Sequence, residues 1–179
     1  MRDVTLCFLM DEKGQDRRIL LGMKKRGFGV NKWNGFGGKV EEGEEIPEAA
    51  CREVFEEIGV IIPKEDLSKV GEIQFYFPHK NEWDQRVHVF FAGKWKGNPQ
   101  ESDEMKPGWF KLEEIPYSEM WVDDGYWLPL VLEGKKINAK FVFQPDNDSI
   151  IEHQIDEIGG DRIANDENLR DEPSPQTCL

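Results

Sequence analysis

A chain of 179 residues has the length of one domain, or of one domain with a tail, and at that size a core forms without disulfide staples. With 23 Lys and Arg against 36 Asp and Glu the net charge is −13, which excludes a basic footprint for nucleic acid or an anionic membrane. An anionic substrate is compatible with this charge only if divalent cations stand between it and the carboxylates.

Eleven Phe and six Trp are too many for a disordered chain. Cys7, Cys51 and Cys178 are odd in number and show neither a C-x-x-C pair nor zinc-spaced histidines. Free thiols in a reducing compartment are expected, the cytosol first, with the nucleus or mitochondrial matrix as alternatives. No apolar run reaches the roughly 20 residues of a membrane span, and Met1-Arg2-Asp3 opens neither a secretory signal nor an arginine-rich presequence. The chain reads as a soluble monomer whose partner is a small molecule.

In chain order, Val4 to Met10 and Arg18 to Gly22 are apolar runs around the polar stretch Asp11 to Asp16, which predicts a hairpin. Between Lys24 and Lys39, glycines 27, 29, 35, 37 and 38 interleave with Phe28, Trp33 and Phe36, a loop with aromatic anchors. Pro47 and Gly59 frame a helix, Pro47 in its first turn and Gly59 as its C-terminal cap. At 100° per residue Glu53, Glu56 and Glu57 share one face, and Cys51, Val54, Phe55 and Ile58 are expected to make the opposite, buried one. Val70 to Phe77 and Val87 to Trp95 read as a strand pair, and Trp109-Phe110 as the start of another extended piece. Asp123-Asp124 can cap a helix through Leu128, Leu130 and Leu132, with Pro129 tolerated near its first turns. Phe141 to Phe143 and Ile150 to Ile158 close the domain as late strands, giving a division into a domain at 1–158 and an acidic, mobile tail at 159–179.

The chemistry concentrates between Gly38 and Val60. Three glutamates at i,i+3 and i,i+4 repel one another on a helix, so a hard divalent cation is their natural binder. Taken alone, such a helix is a solvated acidic face. Here the whole window has the form G-x5-E-x7-R-E-U-x-E-E-x-G-U, with U a bulky aliphatic, and Gly38, Glu44, Arg52, Glu53, Val54, Glu56, Glu57, Gly59 and Val60 fill every fixed position. The window resembles the Nudix hydrolase signature. That resemblance implies an α/β (α+β) Nudix fold, a mixed β-sheet core sandwiched between helices. It also implies Mg²⁺ as cofactor, with Mn²⁺ as substitute, and hydrolysis of a nucleoside diphosphate linked to another group. It further implies Glu53, Glu56 and Glu57 as metal ligands, one of them or Glu104 as acceptor of the water proton, and Arg52 as the residue that orients the glutamates. Glu44 is expected to steady the loop–helix junction.

Four further segments, Leu21 to Gly29, Trp33 to Lys39, Glu101 to Met105 and Trp121 to Trp127, resemble the branch of that family that hydrolyses oxidised purine nucleoside triphosphates, a likeness running from about Thr5 to Ile158. It implies a base slot lined by Phe28, Phe75, Trp121 and Phe143, with Asn34 on the base and Asp123 and Asp124 on its Watson–Crick edge. Thr5, Lys24, Phe36, Gly37, Gly38, Lys39 and Val122 fall at positions near the nucleotide, and the Gly37 carbonyl and Glu104 at metal positions outside the signature. Two adjacent carboxylates in one buried pocket do not both ionise, and a proton shared between them suits both 8-oxo-dGTP and 2-hydroxy-dATP. Taken alone, Asp123-Asp124 is a helix cap and the aromatics are core. Val122 and Gly125 depart from that branch, and so does the Phe77-to-His88 connection. Hydrolysis of another nucleoside diphosphate derivative and a non-catalytic binding module are the competing readings.

A phosphate loop fails because Trp33 and Val40 occupy its required glycine and hydroxyl positions, and His79, His88 and His153 lie too far apart for a zinc hydrolase.

Overall fold

A computed structural model describes residues 1–13 and 16–159. The expected tail at 159–179 lies outside the described residues from position 160 onward, and Cys178 with it.

The first strand, β1 (Arg2–Asp11), pairs antiparallel with β2 (Arg18–Lys24), the hairpin expected from the sequence. Residues 7 to 10 of β1 are buried on both faces, which makes it a central strand. After the short β3 (Trp33–Asn34) comes α1 (Ile46–Ile58), then β4 (Leu67–Tyr76), β5 (Gln85–Ala92), β6 (Met105–Lys111), α2 (Asp124–Leu132), β7 (Lys136–Phe143) and β8 (Ile150–Ile158). The sheet runs β3-β2-β1-β5-β4-β7-β8, with β6 on β2. Two pairs, β1 with β5 and β4 with β7, are parallel, so the sheet is mixed.

Alternation along β1 divides the core. Cys7 and Leu9 join Leu20, Phe36 and Phe90 beneath Ala50, Val54 and Ile58 of α1. Phe8 and Met10 join Leu21, Ile73, Val87 and Phe141 beneath Trp127, Leu128 and Val131 of α2. The result is the expected sheet between helices, with α1 on one face and α2 on the other.

Two expectations are corrected. Phe55 is 53% exposed while Glu57 is buried. The stripe that meets the sheet is Ala50, Val54, Glu57 and Ile58, at i, i+4, i+7 and i+8, and Phe55 lies one step of 100° outside it. Trp109 and Phe110 end β6 rather than start it, because pairing with β2 begins at Met105 opposite Lys24. Pro129 sits in the second turn of α2, among the early turns where the sequence tolerates it.

Gly22 shows how tightly β2 is packed. A Cβ there would lie 2.5 Å from Met105 Sδ and 2.7 Å from the ring of Phe36, which is fully buried. Gly22→Ala is expected to lower stability by about 1–3 kcal/mol through overpacking, with the denaturant m-value unchanged. Urea unfolding of the two proteins checks this, and an unaltered midpoint would count against it.

Candidate functional site

The loop before α1 is stitched to β1. Cys7 N–H donates to the Phe36 carbonyl at 2.6 Å, Thr5 N–H to the Gly38 carbonyl at 2.8 Å, and Val40 N–H to the Asp3 carbonyl at 3.1 Å. Gly37 has to be glycine, because a Cβ there would stand 2.0 Å from the Thr5 carbonyl oxygen. Gly38 is pressed the other way, since its Cβ would meet the Glu53 carboxylate at 2.5 Å. The loop is thus one backbone thick between strand and helix.

Arg52 is the hub of the helix face. Its Nε and Nη2 donate to the two oxygens of Glu44 at 2.8 and 2.9 Å, its Nη1 to Glu53 at 2.9 Å and to Glu56 at 3.3 Å, and its Nη2 also to the Lys39 carbonyl at 3.1 Å. The guanidinium holds the Glu44 carboxyl below the ordinary carboxylate range. Glu44 also accepts the Glu41 N–H at 3.0 Å, so it fastens the loop to the helix.

Glu57 differs from its neighbours. It lies on the sheet-facing stripe, 6% exposed, and its Oε2 accepts one hydrogen bond, from Gly37 N–H at 3.0 Å. Burial pushes its pKa up to about 8, against the pull of that hydrogen bond and of Lys24. Glu53, Glu56, Glu57 and the Gly37 carbonyl offer oxygen donors alone, the chemistry that suits a hard divalent cation. A cation there would supply the countercharge that the buried carboxylate lacks and would drive off its proton. Among the described residues no three His, Cys, Asp or Glu side chains already converge as a metal cluster. Arg52 holds Glu53 and Glu56 instead. Glu104 is exposed and pairs with Arg26 at 2.5 Å.

On the α2 face a cavity of about 330 Å³ opens, and Glu57, Gly37 and Gly38 line it together with Asp123 and Asp124. Phe28, Phe75, Trp121 and Phe143 line it together, as the resemblance implied, and Thr5, Lys24, Asn34 and Lys39 also reach it. Phe28 stacks on Trp121 with ring centroids 4.9 Å apart and planes 24° apart. The Asn34 Oδ1 accepts its neighbour's N–H, from Gly35, at 2.8 Å.

Neither aspartate works as a side-chain helix cap. Asp123 Oδ2 accepts Trp127 Nε1–H at 3.0 Å, and Asp124 Oδ2 accepts Trp121 N–H at 3.0 Å. At 5% and 2% exposed, both are costly as anions. Burial pushes Asp123 up to about 6. Asp124 is raised well above the ordinary range by burial and by the charge of Asp123. The pair therefore holds a proton near neutral pH.

Two expected residues lie elsewhere. Phe36 is fully buried in the α1-side core, because its backbone pairing with Cys7 turns the ring under the helix. Val122 is 40% exposed and does not line the cavity. The sequence reading missed Lys32, whose Nζ sits 4.9 Å from the Trp121 ring centroid and whose charge opposes the rise of both aspartate pKa values. It missed Trp127 and Phe77 as lining residues too. Trp127 stands four residues from Asp123 on a helix, a spacing that offered a signal; a loop lysine carries none. His88 is a buried strand residue whose Nε2 meets Asp3 at 2.8 Å, while His79 and His153 are exposed. No helix among the described residues is long and apolar enough to cross a membrane.

Residues 1–131 match the NUDIX domain model. The chain is 51% identical over 144 residues to a protein of Danio rerio named oxidized purine nucleoside triphosphate hydrolase, covering 80% of this chain and 90% of that one. The protein of the same name from Mus musculus is 49% identical with the same coverage. Among solved structures, the MutT protein of Bacillus halodurans superposes with a TM-score of 0.74 at 26% identity, covering 87% of this chain and 98% of that chain. With the signature loop and helix assembled as described, the chain belongs to the Nudix hydrolase family.

Proposed function

We propose that this Nudix hydrolase converts oxidised purine nucleoside triphosphates, such as 8-oxo-dGTP, 2-hydroxy-dATP and 8-oxo-dATP, to the monophosphate and pyrophosphate. Such a reaction removes mutagenic precursors before they enter DNA. One observation carries the reading: a single cavity is lined both by the buried aspartates Asp123 and Asp124 with Trp121 and by Glu57 of the signature helix. A base edge can be read by the aspartates while a phosphoanhydride lies beside the glutamate. The names of the Danio rerio and Mus musculus relatives support the same substrate class.

In this reading Asp123 and Asp124 face the base edge with one proton between them. Because either oxygen pair can then accept or donate, the site meets both the 8-oxo-guanine and the 2-hydroxy-adenine patterns. Trp121 stacks on the base, and Phe28, Phe75 and Phe143 exclude water from it. Asn34, Thr5 and Lys24 position the nucleoside, while Lys24 and Lys39 turn positive charge toward the phosphates. Glu53, Glu56, Glu57, Glu104 and the Gly37 carbonyl would hold Mg²⁺, or Mn²⁺ in its place, with Arg52 aiming the first two. When bound, the ion neutralises the polyphosphate and acidifies the attacking water. A glutamate of this group takes the water proton. The chain acts as a monomer in a reducing compartment, the cytosol.

Hydrolysis rates for 8-oxo-dGTP, 2-hydroxy-dATP, dGTP and ADP-ribose with Mg²⁺ test the assignment. A kcat/KM at least about tenfold above dGTP for an oxidised purine is expected, since buried polar groups left unpaired by the wrong base carry the discrimination. A preference for dGTP or ADP-ribose would overturn it.

Glu57→Gln keeps an acceptor for Gly37 N–H and replaces a buried carboxyl group by a neutral amide of the same shape, so the variant is expected to melt no earlier than the wild type while turnover falls by about 100-fold or more. Normal turnover would remove Glu57 from the reaction.

Asp123 carries its own pH signature. Its pKa is raised from 3.8 to about 6, so the folded chain holds this proton more tightly than the unfolded one. Its contribution is therefore present below pH 4 and lost as the pH rises through about 6. Asp123→Asn should flatten the decline of Tm across that window and weaken oxidised-purine binding; parallel Tm profiles would contradict the burial account.

A further inference from the structure

Phe28 stands at the tip of the loop between β2 and β3, 60% exposed, with Gly27 at φ +77° and Gly29 at φ +82° on either side. Its two neighbours thus have the backbone freedom that only glycine has, and the ring itself has no hydrogen-bonding group. What locates it is two indoles. Trp121 lies against its face, and Trp83 meets it edge-on with centroids 5.4 Å apart and planes at 65°.

Trp83 is the fixed member. It closes the 3-10 turn Asn81–Trp83, with its N–H on the Lys80 carbonyl at 2.8 Å. Its ring packs edge-on against the buried Phe77 at 5.9 Å and is covered by Lys80 Nζ at 3.9 Å. The connection itself is clamped, because Phe77 N–H donates to Asp84 Oδ1 at 2.8 Å and Arg2 N–H to the Asp84 carbonyl at 3.3 Å. Trp83 does not line the cavity, so it reaches a ligand there only through Phe28 and Phe77, which do.

The 4.9 Å between Phe28 and Trp121 is direct ring contact. A planar base between the two rings would need about 7 Å, twice the carbon contact distance of roughly 3.5 Å. Phe28 therefore caps Trp121 and closes the mouth of the slot rather than forming the second half of a sandwich.

We propose that Trp83 is a positioning residue for base recognition: it is the stop that holds the glycine-flanked Phe28 against Trp121 and so sets the closure of the slot over a purine. The inference rests on the reading of the Trp121–Asp123–Asp124 cavity as the base site.

The test is a double-mutant cycle on the full chain, with KM and kcat measured for 8-oxo-dGTP. Trp83→Ala is expected to raise KM about threefold to tenfold while kcat changes less, because the residue lies away from the glutamates. Trp83→Phe, which keeps an aromatic edge, should restore most of the loss. In a Phe28→Ala background, Trp83→Ala should add less than about twofold, since the residue it acts through is gone. If the alanine variant melts early, Trp83→Leu keeps the apolar volume over Phe77 without the ring and takes its place. An unchanged KM, or a rise of equal size in both backgrounds, would overturn the proposal. Failure of the oxidised-purine reading shows separately, as a wild-type preference for dGTP or ADP-ribose. The cycle is then read on the preferred nucleotide, and its additivity still decides the role of Trp83.

Discussion

The structure turns on how closely β1 and α1 approach each other across Gly37 and Gly38. On one side a Cβ would strike the Thr5 carbonyl, on the other the Glu53 carboxylate, so nothing but backbone fits between. That thinness brings three kinds of oxygen together: strand carbonyls, loop carbonyls and helix carboxylates. It also explains why Glu57 is buried. The register that seats Ala50, Val54 and Ile58 on the sheet places Glu57 on the same stripe, where the Gly37 N–H is its one hydrogen-bond donor. A carboxylate in that position is unfavourable in the empty fold and becomes favourable only when positive charge arrives. The site is thus prepared for a cation by the packing that also makes the core.

Charge is distributed to the same end. The chain carries a net −13, yet Lys24, Lys32 and Lys39 line the cavity along with Glu57, Asp123 and Asp124. Each buried acid then has a different remedy for its burial. The aspartate pair keeps a proton, with Trp127 and the Trp121 backbone as donors, and Glu57 is placed to trade its proton for a metal.

Much of this was legible in the sequence because it depends on local periodicity. The hairpin, the framing of α1 by Pro47 and Gly59, and the places of Arg52 beside the glutamates and of Glu44 at the loop–helix junction all follow from residues close in the chain or fixed by a long motif. What was not legible depends on contacts across the fold. The helical wheel placed Val54 and Ile58 correctly on the buried face but exchanged Phe55 and Glu57, because the stripe that meets the sheet runs through Ala50, Val54, Glu57 and Ile58. Phe36 read as a ligand contact among loop glycines, yet its bridge to Cys7 turns it into the core. Lys32 and Trp83 carry no spacing signal at all, and their importance comes only from where Trp121 and Phe28 arrive from other loops.

The division between rigid and loop-borne parts has a consequence for specificity. The carboxylates of α1 stand on a helix packed against a central strand, whereas Phe28, Lys32 and Trp83 stand on connections, and Trp121 on the segment that enters α2. Base preference can therefore change through loop residues without disturbing the catalytic end. The departures from the oxidised-purine branch fit this division. Val122 is exposed and outside the cavity, and a side chain at Gly125 would meet no atom within 4 Å. Neither alters the walls of the slot. The third departure, the Phe77-to-His88 connection, is the one that delivers Trp83 to Phe28. Of the three departures it alone reaches the ring of a cavity-lining residue, while Asp123 and Asp124 keep their hydrogen-bond partners.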